Sequence, residues 1–516
     1  MPNWLKDAVF YEIYPQSFYD TNGDGIGDIN GITEKLDYIA GLGCNALWLN
    51  PCFDSPFKDA GYDVRDYQKV APRYGTNQDL YRLFGEAHRR GIHVLLDLVP
   101  GHTSEEHPWF LESQKAERNA FSDRYIWTNH CFQPTTGYPY IGGECERNGT
   151  YLLNFFKCQP ALNYGFLRCE EDWQLPTDHP SCIATREAMK DVMRFWLDHG
   201  CDGFRVDMAM SLVKNDDAEK TGTCAIWRNV RAMLDKEYPE AAILAEWGDP
   251  VRSLKAGFHM DFYLDAPGNG YNALMRDYGR VENPRNEDHT FFKQDGHGDM
   301  TRFLAEYLPN YLATREDGYY CLITCNHDTV RPRYNLTQRE LKLAYAFLFT
   351  MPGAPFLYYG DEIGMRYQTL PTKEGGYFRT GSRTPMQWTN GRNAGFSTAP
   401  ADALYLPVDT SAAAPSVAAQ EADPDSLLHT VRALLALRHR ETDLQADADF
   451  EVVNARQGQQ LFLYRRGALL LALNPSAEAV EASVDGGTRQ ILFSIGGGAA
   501  EDGTIRLEPQ SFLVLR

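Results

Sequence analysis

The run GFRVDMA, residues 203–209, puts Arg205 and Asp207 two positions apart in an otherwise apolar segment. Alternation along a strand sends both side chains to one side, where the guanidinium can keep the aspartate ionised. In LAEWGDP, Glu246 stands between Ala245 and Trp247, a setting able to desolvate it and raise its pKa toward neutrality. Similar runs end in Asp97 with His102 shortly after, in His327 and Asp328, and in Asp361 and Glu362. Singly, each acid could be an ion-pair partner or a loop cap. Together, each held in an apolar run, with His and Arg among them and no Cys–His or Ser–His constellation, they point to cleavage of a glycosidic bond. That chemistry takes one carboxylate as nucleophile and a second carboxyl that is first protonated and later basic.

The segments that must position these groups alternate short β-rich runs with amphipathic helical patterns. Eight strands are expected, within residues 9–15, 46–51, 93–100, 203–209, 242–247, 258–265, 319–328 and 354–362. Their nearly continuous apolar character suits strands covered on both faces, and strands alternating with helices give an α/β fold, a (β/α)8 TIM barrel. Helix starts are expected at Asn77 or Thr185, and helix ends at Gly91 and Gly200. The barrel's first part is residues 1–103. A loop-rich inserted domain, 104–178, follows the third strand, and the barrel resumes over 179–445 with a long loop at 366–424. From about 446 to 516 the pattern alternates like antiparallel strands, implying a small all-β domain. On this fold the long loops sit at the catalytic face.

Composition narrows the partners. With 50 Lys and Arg against 70 Asp and Glu, the formal charge is −20, so phosphate backbones and anionic lipid surfaces are repelled. Neither nucleic acid nor membrane is an expected partner, and a neutral or cationic substrate fits better. No window approaches the roughly 20 apolar residues that span a bilayer. The opening MPNWLKDAVFYEIYP reads as the first strand of a domain, not as a leader. Eleven cysteines without a CxxC pair suit free thiols in a reducing cytoplasm, the expected location.

GCNALWLNP, DLVPGH, QPALN, GFRVDMA, LAEW, CNHD and YYGDEIGM resemble the ordered sequence regions of the alpha-amylase family of glycoside hydrolases, family 13. DTNGDGIGD, HPWF, RTPMQW and NAGF are most similar to its alpha-glucosidases and oligo-1,6-glucosidases. The resemblance covers essentially the whole chain. It implies Asp207 as nucleophile, Glu246 as general acid/base and Asp328 as transition-state stabiliser. His102, Arg205 and His327 match positions that hold the sugar, and Asp59 and Tyr62 match a pair in the wall of that subsite. Arg383 of RTPMQW matches an arginine that pairs with Asp59 and closes the pocket, implying exo-acting release of single glucose units from α-glucosides or short oligosaccharides. Three positions depart from the pattern: Gly101 replaces an asparagine that helps bind calcium in alpha-amylases, Ala161 replaces an aspartate, and Met208 follows the nucleophile where valine, alanine or threonine is usual.

DTNGDGIGD, residues 20–28, has the alternate Asp/Asn spacing of an EF-hand, but its twelfth position is Gly31 and it follows a strand. The resemblance implies instead a structural calcium or magnesium on the side chains of Asp20, Asn22, Asp24 and Asp28 and the Ile26 carbonyl. Two other readings share the scaffold. A transglycosylase or isomerase, trehalose synthase-like or sucrose-acting, uses the same covalent intermediate. A non-catalytic transporter-associated relative would have lost the acids that this chain keeps.

Overall fold

In a computed structural model of the chain, the described residues are all but Thr136, Gly296, Gly375, Gly376 and Gly486 and the side chains of Tyr377 and Phe378. Eight parallel strands form the central sheet: β1 Phe10–Ile13, β2 Ala46–Leu49, β3 His93–Leu98, β4 Gly203–Val206, β5 Ala242–Ala245, β6 Met260–Phe262, β7 Tyr319–Cys321 and β8 Phe356–Tyr358. Their order is β7-β6-β5-β4-β3-β2-β1-β8. A parallel bridge from Ile323 to Phe356, just past β7, closes the sheet into the expected barrel.

Nearly every strand residue is buried, which is why the runs read as apolar on both faces. Register then stacks the polar exceptions inside. Glu12 lies opposite Trp48, and Asp97 opposite Arg205. The β4–β5 contact is tight at Gly203, where a Cβ would stand 1.9 Å from the Ala242 carbonyl oxygen and φ is +145°. A larger residue there would push apart the strands that carry the two central acids.

The helices follow the apolar pattern, but their caps differ from expectation. Helix α1, Asn77–His88, is capped by Thr76, whose side chain forms a reciprocal capping box with Asp79. Helix α2, Pro180–Asp198, is capped by His179. Thr185 lies inside α2, with its hydroxyl donated to the Ser181 carbonyl. Gly91 and Gly200 take φ of +70° and +106° just past the two helices, the left-handed geometry that ends them.

Beyond the barrel, an antiparallel unit carries two sheets. The first holds Phe450–Ala455, Phe462–Arg466, Leu469–Asn474, Ser511–Leu515 and Ile491–Ile495 in that spatial order, and the second holds Val480–Ser483, Thr504–Leu507 and Gly498–Glu501. The inserted segment packs its own small core of Ile126, Leu152, Ala161, Phe166 and Trp173. All eleven cysteines are free. Among the described residues no helix is long and apolar enough to cross a membrane.

Candidate active site

Arg205 organises the carboxyl ends of β3, β4 and β5. Its Nη1 lies 2.8 Å from Asp97 Oδ1 and 3.0 Å from Asp207 Oδ1, and its Nη2 lies 2.8 Å from Glu246 Oε1. The guanidinium also faces the Trp48 ring, 5.1 Å from its centre. A buried cation of this kind is retained only when acids compensate its desolvation, and here Asp97 and the Asp207–Glu246 pair surround it.

The chain leaves β4 through a left-handed turn at Met208, with φ 42° and ψ 45°. A non-glycine residue holds such a conformation only where its surroundings enforce it. Glu246 does so: its Oε2 accepts the Met208 N–H at 2.9 Å, and its carbonyl accepts the Ala209 N–H at 3.2 Å. The turn that presents Asp207 is therefore held by the neighbouring acid.

Burial pushes Glu246 up to about 7, opposed by Arg205 and reinforced by the Asp207 charge. Asp207 is likewise pushed up to about 7 by burial; Arg205 pulls it down, the Asp97 and Asp59 charges raise it, and a hydrogen bond from Glu246 lowers it. Arg205 is shared among three acids, so it does not keep Asp207 in the ordinary carboxylate range as its position two residues away suggests. The two acids interact closely enough that they titrate as a pair near neutrality, sharing one proton between them.

Asp328 behaves oppositely. Burial disfavours its charge, yet His327 and the Arg379 and Arg383 guanidiniums hold its carboxyl well below the usual range. Arg383 Nη2 lies 2.7 Å and Arg379 Nη1 3.1 Å from Asp328 Oδ1. His327 Nε2 lies 2.7 Å from the Tyr62 hydroxyl, which donates to Asp97 Oδ2 at 3.1 Å. His102 Nε2 faces the Tyr62 carbonyl at 3.1 Å, and burial lowers its pKa to about 4, so the ring is neutral. Asp59, Tyr62, His102, Arg205, Asp207, Glu246, His327, Asp328 and Arg383 thus join one contiguous network.

The expected ion pair between Arg383 and Asp59 is corrected. Arg379 Nη2 makes it, at 3.0 Å, and Gln159 Nε2 donates to the other Asp59 oxygen at 2.8 Å. Arg383 instead donates from Nε to the His327 carbonyl at 2.9 Å and pairs with Asp328 and Glu374. The acids past β8 also stand apart from the site. Asp361 pairs with buried Arg331 at 2.8 Å, and Glu362 accepts the Tyr11 and Tyr38 hydroxyls at 2.7 and 2.8 Å.

Gly101 has a structural counterpart. A Cβ at 101 would lie 2.8 Å from Asn154 Nδ2, the atom that donates to His102 Nδ1 at 3.0 Å. Lys214 Nζ reaches Asn154 Oδ1 at 3.2 Å and the Ser211 carbonyl at 2.7 Å. An ammonium thus ties the inserted segment to the β4 end. Lys214, Asn154 and Arg379 lie in loops without a motif of their own, and Gln159 opens QPALN without a role that the sequence alone assigns.

In the loop 20–28, the Asn22, Asp24 and Ile26 N–H groups are donated in turn to Asp20, Asn22 and Asp24, at 3.1, 2.9 and 2.9 Å. These turns bring an all-oxygen donor set of the type hard cations take to one short loop. Asp20 also accepts the Ser397 hydroxyl at 2.5 Å, and Asp28 accepts the Gly31 N–H at 2.7 Å at the start of a short helix, Ile29–Glu34. Among the described residues no three His, Cys, Asp or Glu side chains form a metal cage by themselves. The Asn22 and Ile26 oxygens would have to complete any cation site.

A closed parallel barrel whose strand ends gather Asp97, Asp207 and Glu246 on one arginine has the layout of a glycoside hydrolase. The alpha-amylase catalytic-domain model matches residues 12–447, and a domain of unknown function, DUF3459, matches residues 447–514. The chain belongs to the alpha-amylase family. A trehalose synthase/amylase TreS from Mycolicibacterium smegmatis is 36% identical over 482 residues, covering 85% of this chain and 76% of that protein. An oligo-1,6-glucosidase from Heyndrickxia coagulans is 32% identical, covering 93% of each. Among solved structures, an isomaltulose synthase mutant from Erwinia rhapontici NX5 in complex with sucrose has a TM-score of 0.81 at 25% identity, covering 100% of this chain and 99% of that one.

Proposed function

We propose that the chain is a retaining, exo-acting alpha-glucosidase of short α-glucosides. The observation that carries this reading is the single Arg205 guanidinium held by Asp207 at 3.0 Å and Glu246 at 2.8 Å. A shared arginine suits the short separation of a retaining pair, about 5–5.5 Å, and not the wider gap that admits an attacking water between two carboxyls.

Asp207 attacks the anomeric carbon as the glycosidic C–O bond breaks, and Glu246 gives its proton to the departing oxygen. Glu246, now a carboxylate, takes a proton from water, whose oxygen bonds to the anomeric carbon on the face the departing oxygen left as the bond to Asp207 breaks. Asp328, held ionised by Arg379 and Arg383, accepts hydrogen bonds from ring hydroxyls that tighten as the ring flattens. His102, Arg205 and His327 hold the sugar, with Tyr62 beside it. Arg379, spanning Asp59 and Asp328, closes the pocket's far end, which supports release of one terminal glucose. Proton NMR of the first-formed glucose tests the stereochemistry: the α-anomer is expected, and initial β-anomer rejects the roles given to Asp207 and Glu246.

A second reading is favoured by the 36% identity to a trehalose synthase/amylase and by the isomaltulose synthase likeness. In it a sugar hydroxyl replaces water in the second step, so the enzyme transfers or isomerises. Product analysis on maltose, isomaltose, trehalose and sucrose separates the two: free glucose alone supports hydrolysis, and new disaccharides support transfer.

For the loop 20–28 we propose a structural calcium or magnesium on the side chains of Asp20, Asn22, Asp24 and Asp28 and the Ile26 carbonyl. Its chained side-chain turns and all-oxygen donors support this, and calorimetric titration of chelator-treated protein with each metal tests it.

A further inference from the structure

Glu12 is an acid in the middle of β1, fully buried and facing the barrel interior beneath the site. Its Oε1 lies 2.9 Å from His327 Nδ1, and its Oε2 has no hydrogen-bond partner among the described residues. The Asn50 Nδ2 amide lies 3.0 Å from the same His327 nitrogen. With its amide placed so, Asn50 donates toward the ring, which fits an Nδ1 that carries no proton. If Nδ1 carries no proton, the proton between it and Glu12 Oε1 belongs to Glu12.

The other side of the ring agrees. The Tyr62 hydroxyl gives its proton to Asp97 Oδ2 at 3.1 Å, so at His327 Nε2, 2.7 Å away, the tyrosine oxygen accepts. Nε2 then carries the hydrogen, 3.4 Å from Asp328 Oδ2. The surroundings of Glu12 favour its neutral form. The Arg205 terminal nitrogens are held by Asp97, Asp207 and Glu246. Burial is the largest influence on Glu12; Asn50, Arg205 and His327 oppose it, the Asp97 charge reinforces it, and Tyr358 lies opposite on β8. An ionised carboxylate with one buried oxygen unpaired would cost several kcal/mol, whereas a carboxylic acid avoids most of that cost.

We propose that Glu12 is a positioning residue, kept as a neutral carboxylic acid, whose hydrogen bond to Nδ1 sets His327 as the Nε2–H tautomer that faces Tyr62, Asp328 and the sugar. Burial raising the Glu12 carboxyl well above the ordinary range is in keeping with this. The idea rests on the glycosidase reading for its catalytic consequence, but the tautomer is a property of the free protein.

The test is nitrogen-15 NMR of histidine-labelled full-length protein at pH 7.5, with His327 assigned through H327Q, in wild type, E12Q and E12L. Wild type and E12Q, whose amide also donates, are expected to show unprotonated Nδ1 and protonated Nε2, and E12L a mixture. On a nitrophenyl α-glucoside, E12Q is expected within about threefold of wild type in kcat/KM and E12L to fall about 10- to 100-fold. A protonated Nδ1 in wild type overturns the proposal whatever the activities, and so does an E12L variant with unchanged tautomer and kcat/KM. If E12L does not fold, the wild-type tautomer and the E12Q rescue still decide it. A wild type inactive on every α-glucoside but showing the Nε2–H tautomer would sink the functional reading and leave this inference standing.

Discussion

Arg379 Nη2 stands 3.0 Å from Asp59 Oδ1, and the same guanidinium reaches Asp328 Oδ1 with Nη1 at 3.1 Å. One side chain from the long loop past β8 thus joins the pocket's far wall to the acid expected to bind the sugar hydroxyls. Replacing it separates pocket closure from chemistry. R379A is expected to raise KM about tenfold or more with a smaller change in kcat, because the lost contact closes the pocket around bound sugar. R383A, which removes contacts to Asp328 and the His327 carbonyl, should lower kcat the more strongly. Steady-state kinetics on a nitrophenyl α-glucoside checks both, and the reverse assignment would show that Arg383 is the closing residue.

The protonation of the central pair predicts the pH profile. Glu246 and Asp207 are both pushed up to about 7, and the proposed mechanism uses the pair's one proton on Glu246. The two groups titrate as a unit, so kcat/KM should fall on the alkaline side of about pH 7 as that proton leaves. A leaving group that needs no acid, such as fluoride or a dinitrophenolate, should lose most of that limb. An equal alkaline limb for both substrate types would contradict the role of Glu246.

The same shift has a stability consequence. Glu246 loses its proton near 4.5 when unfolded and near 7 when folded, so the folded state binds more protons between those values. Stability attributable to this group is fully present below about pH 4.5 and is lost as pH rises through about 7. E246Q, which never ionises, should therefore be more stable than wild type at pH 8, on the order of 2 kcal/mol, and about equal to it at pH 4. Denaturant melts at the two pH values measure the difference, and E246Q destabilised at pH 8 would contradict it.

If the loop 20–28 holds a cation, chelation should lower the melting temperature more than it lowers the specific activity of protein still folded. The loop is tied through Asp20 to Ser397, far along the chain, so its loosening should also raise proteolysis near residue 397. Unchanged melting in excess EDTA would count against any bound metal.

Much of this was legible in the sequence for identifiable physical reasons. The barrel strands are buried on both faces, so they stand out as apolar runs, and acids at their carboxyl ends stand out against them. Arg379 was not legible: it stands between Phe378 and Thr380, outside RTPMQW, and only folding carries it to Asp59. Arg383, in a recognisable motif, took its place in the expectation. Asp361 and Glu362 satisfied the strand-end rule, yet they turn to Arg331 and to Tyr11 and Tyr38 behind the site. Glu12 offered the one unused signal, an acid within an apolar strand, a placement that only a partner such as His327 makes tolerable.

Incubation with 2-deoxy-2-fluoro-α-glucosyl fluoride, followed by intact mass and peptide mapping, shows whether Asp207 forms a covalent bond to glucose. One added fluoroglucosyl group is expected, on the peptide carrying Asp207, and none in D207N. A label on another residue, or turnover of α-glucosides by D207N at the wild-type rate, would contradict it.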